Sequence, residues 1–411
     1  MIVLKECIRR RKMRVQRLDL QPLESEDYIS ILFRFPSRNL SFTVSPSCSE
    51  VTVLGFQYSV FITVRIKRMN GDKEESPLNA RQSALKTYLH SGYSHVVLRQ
   101  WHEAGVQVDH KSFMYPVFVQ DDPTGSADIP DLPGVSQYSV NALEEHLEPL
   151  VRKGLSSVLL LGVITKLKKD SNGSAMDCAE SPVLRAINMM TVAFPNVVIA
   201  CDVCLCPYTE HGQCGIYDKD GYLDRASTIR RLSQVAVAFG RAGCHVVVPS
   251  DIQDCCVAPV KEALFNAGLG TSVSVLSYSA RFSSCFYGPL RDNDKERNLD
   301  GDTKCCQLPS GSVGLALRAV KRDVKEGADM LMVKPGLPYL DVIRRIKDCY
   351  PGYPLFVYQS GGEYSMLWHA ACKGTFDLHL AVLESIKCLR RAGADVIVTY
   401  FTPQLLDWIQ K

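Results

Sequence analysis

From Tyr88 onward the chain repeats one pattern, a short apolar run, a loop, then an amphipathic stretch of helical period. Eight such runs read as strands: Phe113–Val119, Ser157–Ile164, Asn196–Val203, His245–Ser250, Ser272–Ser279, Met330–Lys334, Pro354–Gln359 and Asp395–Tyr400. Near-continuous apolar runs mark parallel strands buried on both faces. Between them, Val140–Gly154, Thr228–Gly243, Leu317–Gly327, Tyr339–Asp348 and Asp377–Gly393 carry helical periodicity, the first with Ser139 as N-cap. Four junctions repeat a basic residue and a glycine before the next strand, at Lys153-Gly154, Arg241-Ala242-Gly243, Lys325-Glu326-Gly327 and Arg391-Ala392-Gly393. Glycine takes the left-handed conformation of a helix C-cap, and the cation favours the negative end of the helix dipole. Eight β/α units over about 300 residues fit a closed (β/α)8 TIM barrel of the α/β class better than an open doubly wound sheet.

The length of 411 residues admits one such barrel or two domains. A net charge of +3, from 47 basic and 44 acidic residues, implies no long-range pull toward nucleic acid or membrane. No apolar run approaches the roughly 20 residues that a bilayer span requires. Met1–Leu20 is rich in arginine and lysine but has no apolar segment after it, so it is not a secretory signal. Early acidic residues from Glu6 to Asp27 count against an organelle transit peptide. The expected location is therefore cytoplasmic, with cysteines as reduced thiols or metal ligands rather than disulfides. Residues 1–87 differ from the rest. Ser41–Val44, Val51–Leu54 and Tyr58–Ile66 read as short strands and Asn70–Pro77 as a linker, and no chemical motif is present.

In a TIM barrel the chemistry sits at the carboxyl ends of the strands. Those ends carry Cys204 and Cys206, Ser250-Asp251, Arg281, Lys334 and Tyr400. The segment Asp202–Gly215, DVCLCPYTEHGQCG, holds three thiols in Cys204, Cys206 and Cys214. Three thiolates and an open fourth position suit a zinc that binds water or substrate. The alternative is ordinary buried or loop cysteines in a chain that has sixteen. Lys334, in MLMVKPG, ends an apolar strand, where desolvation lowers an amine pKa toward neutrality and makes it a nucleophile able to form a Schiff base with a ketone. Its other reading is a lysine snorkelling to solvent. Arg281, in SYSARFSSCFYGPLRD, would depress that pKa further by repulsion, while Arg291 and Gln307 offer donors to a carboxylate, the other reading of Arg291 being a surface salt bridge.

Taken together, LHSGYSHVVLRQW, CDVCLCPYTEHGQCG, PSDIQD, SYSARFSSCFYGPLRD, GLALRAVKRDVKEGADMLMVKPGLPYLD and TYFTPQLL resemble the porphobilinogen synthase, or delta-aminolevulinic acid dehydratase, family. The resemblance covers about Tyr88 to Lys411, and the cysteine pattern matches the zinc-dependent members. It implies a barrel assembled as a homo-octamer, with an amino-terminal arm (88–112 here) embracing a neighbour. It implies condensation of two 5-aminolevulinate molecules to porphobilinogen with loss of two waters. Carried over by position, Cys204, Cys206 and Cys214 would hold zinc and Lys334 would form the Schiff base. Tyr400 would bind the first substrate's carboxylate, and Arg291 and Gln307 the second's. Lead and other soft ions would compete at three thiolates.

Four departures fall on the site. Arg281 stands where the family has a second lysine, and Thr303, with Lys304 beside it, where it has an arginine. Gly361 replaces a carboxylate-binding serine; Ser360 is adjacent but would face the other side of a strand. Cys255-Cys256 replaces a glycine–arginine pair. Losing one charge-assisted contact costs roughly 1.5–3 kcal/mol. Two functional readings follow, a working zinc porphobilinogen synthase and a weakened or inactive paralogue that keeps the zinc-binding oligomeric scaffold. A different Schiff-base lyase on the same barrel is a third.

Overall fold

The computed structural model describes residues 89–102, 108–250, 254–287 and 307–409, together with five strands between Arg17 and Arg65. The chain divides into two compact units, Met1–Glu75 and Ser76–Lys411. In the first, β1 (Arg17–Pro22), β2 (Ile29–Phe35) and β3 (Arg38–Val44) form an antiparallel sheet, and β4 (Glu50–Gly55) pairs with β5 (Val60–Arg65). The three short strands read from sequence correspond to β3, β4 and β5; the Asn70–Pro77 linker lies outside the described residues.

The second unit is a closed barrel. Its strands are β6 (Phe113–Gln120), β9 (Ser157–Val163), β10 (Val198–Val203), β11 (Val246–Pro249), β12 (Ser274–Arg281), β13 (Met330–Lys334), β14 (Leu355–Tyr358) and β15 (Val396–Val398). Each pairs in parallel with the next, and β15 returns to β6 through Ile397↔Phe113 and Val398↔Met114. A small hairpin, β7 (Ser126–Asp128) and β8 (Ser136–Tyr138), extends from the end of β6. The expected (β/α)8 architecture is present, with all eight strands at the positions read from sequence. Every residue of β6, β11, β14 and β15 is buried, as a strand covered on both faces requires.

Ten helices of the α type occur among the described residues: α1 (Val96–His102), α2 (Val140–Arg152), α3 (Pro182–Ala193), α4 (Arg225–Ala242), α5 (Val257–Asn266), α6 (Val313–Glu326), α7 (Leu340–Cys349), α8 (Gly361–Cys372), α9 (Leu378–Ala392) and α10 (Thr402–Ile409). Ser139 Oγ caps α2 by accepting from Ala142 N–H at 3.3 Å. The glycines at the four repeated junctions all take positive φ, from 97° at Gly327 to 119° at Gly393. Ser360 corrects one expectation, because it is the N-cap of α8 rather than a strand residue. Ser360 and Glu363 form a capping box, and this stops the strand at Tyr358.

The segment before the barrel lies against its floor. Trp101 is 2% exposed, meets the Phe356 ring edge-on at 5.2 Å and donates from Nε1 to the Lys111 carbonyl at 3.0 Å. Nearby, Lys261 Nζ donates to Asp329 at 2.8 and 3.0 Å and to Ser91 Oγ at 2.9 Å, and Val275 N–H donates to Asp329 at 2.7 Å. Removing one partner of a buried pair leaves an uncompensated charge, at a cost of about 3–5 kcal/mol. Lys261→Ala should therefore lower unfolding free energy by about that amount in denaturant titration, while Lys261→Arg should lose less. An exposed-pair result below about 1 kcal/mol would contradict the burial argument.

Candidate active site at the barrel mouth

Strand β10 delivers the chain into the cysteine loop. Tyr208 and Thr209 N–H groups both donate to the Leu205 carbonyl, and Gly212 N–H donates to the Thr209 carbonyl. Thr209 Oγ1 donates to the Gln213 carbonyl at 3.0 Å, and Gly212 takes φ 69°. This tight winding returns Cys214 to the strand end. Cys204 Sγ lies 3.1 Å from Cys206 Sγ and 3.5 Å from Cys214 Sγ, and all three sulfurs are within 4.8 Å of one another. Sulfurs at about 2.3 Å from a tetrahedral zinc stand about 3.8 Å apart, so the donor set fits such an ion. It is the one grouping of this kind among the described residues. Three sulfurs leave a fourth ligand position to be supplied from the mouth.

Three strands away, Lys334 ends β13 directly opposite Arg281 in the β12–β13 register. Neighbouring residues in register point to the same face, so both cations project into the mouth. The Lys334 ammonium sits 3.6 Å from the Tyr358 ring centre and 5.6 Å from those of Tyr278 and Tyr287. The Arg281 guanidinium lies 5.9 and 5.8 Å from the same Tyr278 and Tyr287 rings, and it donates to the Ser250 carbonyl. Burial first, then repulsion from Arg281, pulls the Lys334 pKa down to about 7. Asp202 and Glu363, smaller causes than these two, pull the other way. For Arg281, burial works against the charge, but nearby Tyr287, Cys214 and Cys204 outweigh it and the guanidinium stays a cation.

Tyr400 Oη lies 3.0 Å from Tyr358 Oη, and both rings are at most 2% exposed. Burial pushes both phenols up, so they stay protonated. Gln307 reaches the mouth through a short bridge, Leu308 N–H donating to the Arg281 carbonyl at 2.9 Å. Its side-chain Oε1 and the Arg281 Nε are buried with no hydrogen-bond partner among the described residues. Arg291, Thr303, Lys304 and Asp251 lie outside the described residues.

Gly361 opens α8, where an added Cβ would stand 3.3 Å from Leu132 Cδ2 and 3.5 Å from the Tyr287 carbonyl oxygen. Ser360 does not stand in for a serine there, because its hydroxyl is occupied, 2.6 Å from the Phe286 carbonyl and 2.8 Å from Glu363 Oε2. Cys256 is the buried N-cap residue of α5, and Cys255 takes φ 67° with its neighbour Asp254 paired to Arg322. A non-glycine residue in that conformation carries local strain.

The structure adds Tyr358, Tyr278, Asp202 and Glu363 to the site. The tyrosines were absorbed into apolar strand runs, where a phenol reads as core. A carboxylate closing such a run, as at Asp202, is the signal that marks the other kind.

A family profile described as delta-aminolevulinic acid dehydratase matches residues 86–408. The delta-aminolevulinic acid dehydratase of Pongo abelii is 53% identical over 326 residues, covering 79% of this chain and 99% of the relative. That of Dictyostelium discoideum is 46% identical over 325 residues, 79% of this chain and 97% of the relative. Among solved structures, the Toxoplasma gondii ME49 enzyme in complex with its reaction product porphobilinogen superposes with a TM-score of 0.70 at 35% identity, covering 77% of this chain and 89% of that one.

One packing contact frames the mouth tightly. A Cβ at Gly362 would stand 2.4 Å from the Phe286 carbonyl oxygen and 2.8 Å from its carbon. Backbone cannot yield as a flexible side chain does, so Gly362→Ala should cost about 1–3 kcal/mol in thermal unfolding. An unchanged melting temperature would mean that Phe286 and α8 do not approach so closely.

Proposed function

The chain belongs to the delta-aminolevulinic acid dehydratase family, and from that premise we propose that it condenses two molecules of 5-aminolevulinate to porphobilinogen with loss of two waters. The observation that carries this reading is the Lys334 amine, enclosed by tyrosine rings beside a fixed cation and held near neutrality. A neutral amine attacks a ketone. Lys334 Nζ would bond to the ketone carbon of the first substrate, and both amine hydrogens would leave with the ketone oxygen as water, giving the imine.

Around that centre each residue takes a part. The Tyr400 hydroxyl, protonated and at the mouth, donates to the first substrate's carboxylate. Gln307 and Arg291 hold the second, with Thr303 at the altered position of an arginine for that carboxylate and Gly361 at the altered position of a carboxylate-binding serine. Arg281 occupies the place of a second lysine and supplies a permanent charge. Cys204, Cys206 and Cys214 would hold a zinc, whose chemistry there is to polarise a substrate oxygen or activate water. The reading extends to a cytoplasmic homo-octamer whose amino-terminal segments reach neighbouring protomers.

A second reading is favoured by Arg281 itself. A guanidinium does not become neutral in a protein and forms no imine, and Gly361 offers no hydroxyl. On that reading the chain is a weakened or inactive paralogue that keeps the metal site and the assembly. A colorimetric porphobilinogen assay paired with borohydride trapping of 5-aminolevulinate separates the two. Turnover excludes the inactive reading. Trapping at Lys334 without turnover places the defect at the second substrate or at Arg281, and Arg281→Lys with Thr303→Arg and Gly361→Ser should then raise activity.

The pH dependence has a definite sign. Lys334 is protonated and inert below its pKa of about 7, so trapping should rise as pH passes through about 7 and level off above it. Arg281→Gln removes the repelling cation and should move that midpoint to higher pH. A profile that only begins to rise near pH 10 would show an ordinary exposed lysine.

Metal analysis of the purified protein should find zinc on the wild-type chain and its loss in Cys204→Ser. Added lead should displace it, since three thiolates favour soft ions. Zinc retained in Cys204→Ser would remove the three-cysteine assignment.

A further inference from the structure

Behind Lys334 the chain turns through Pro335 and Gly336, and that turn is held by a buried carboxylate. Glu363 is 0% exposed. It accepts from Gly336 N–H at 3.2 Å on both oxygens and from Leu337 N–H at 2.6 Å. It also accepts from Ser360 N–H at 2.6 Å, the bond that completes the α8 capping box. Helix capping needs only Ser360. The bonds to Gly336 and Leu337, 27 and 26 residues away in sequence, play no part in it.

We propose that Glu363 is the positioning residue for Lys334: its carboxylate ties the turn after β13 to the start of α8 and so fixes where the amine meets a ketone. The proposal rests on the reading of Lys334 as the imine-forming residue. Further packing constrains the turn and its surroundings. A Cβ on Gly336 would stand 2.8 Å from Val357 Cγ1, so the turn presses directly on β14. Tyr287 Oη donates to the Lys334 carbonyl at 3.3 Å, and Ser360 Oγ reaches the Phe286 carbonyl at 2.6 Å. The ends of β12, β13 and β14 are thereby joined through one side chain and its immediate partners. Both Glu363 oxygens receive backbone N–H groups, so a glutamine there must turn its own NH2 toward one of those donors.

The test uses the full chain and its Glu363→Gln and Glu363→Asp variants. The readout is the rate of borohydride trapping of 5-aminolevulinate at Lys334, located by peptide mass mapping and taken well above pH 7, where protonation no longer limits it. Misplacement of a reacting group by about 1 Å can cost on the order of a hundredfold. The Gln variant should trap roughly tenfold or more slowly. The Asp variant, which keeps the charge but is one carbon short, should fall between it and the wild type. A Gln variant that melts at lower temperature yet traps at the wild-type plateau rate has lost stability alone, and the proposal is overturned. If the Gln variant does not fold, the Asp variant decides, and a wild-type plateau rate there overturns it equally. No trapping at Lys334 in the wild-type chain overturns the parent reading instead, whatever the variants do.

Discussion

Everything at the mouth depends on the pairing that closes the barrel, Ile397 against Phe113 and Val398 against Met114. A parallel sheet left open would expose two edges and fan its strand ends apart. Closed, it brings the carboxyl ends of eight strands into one ring, and residues far apart in sequence become neighbours. Cys204, Arg281, Lys334 and Tyr400 share a site because the sheet has no edge. The same closure crowds Lys334 and Arg281, both half-buried, into one space, and burial with their mutual repulsion lowers the amine's pKa.

Two cations side by side in a half-buried space are costly, and their intrinsic basicity decides which gives way. Arginine's pKa lies about two or more units above lysine's, so the amine sheds its proton while the guanidinium keeps its own. The tyrosine faces and the Ser250 carbonyl soften the cost for whichever stays charged. Asp202 and Glu363 also favour the ammonium, but their pull is smaller than burial and repulsion combined. The register that sets Arg281 opposite Lys334 is therefore also what prepares the amine for chemistry.

The strands were legible because burial on both faces leaves no room for polar alternation, so each run is nearly continuous in apolar residues. Lys334 was legible for the same reason, as a charge ending such a run. Helix α8 was not, because Gly361 and Gly362 open it and its apolar residues do not gather on one face. Its start was nonetheless written as a serine and a glutamate three residues apart. Glu363 escaped because its partners Gly336 and Leu337 are backbone N–H groups, which carry no side-chain signature. Tyr358 escaped because a phenol in a strand is indistinguishable from core until its ring is found against an amine.

The cysteine cluster and the lysine are held by independent means, and this bears on what the departures can change. Short-range backbone bonds around Leu205, Thr209 and Gly212 shape the cysteine loop, with an anchor to α4 through Ile216 N–H and Thr228 Oγ1 at 2.8 Å. Long-range bonds through Glu363 shape the Lys334 turn. Arg281 and Gly361 belong to neither brace: one projects from a strand end and the other has no side chain. A chain can therefore exchange lysine for arginine at 281 and serine for glycine at 361 without disturbing either structure. The fold and an assembled thiol cluster therefore do not by themselves report turnover, which also depends on side chains such as Arg281 that neither brace needs.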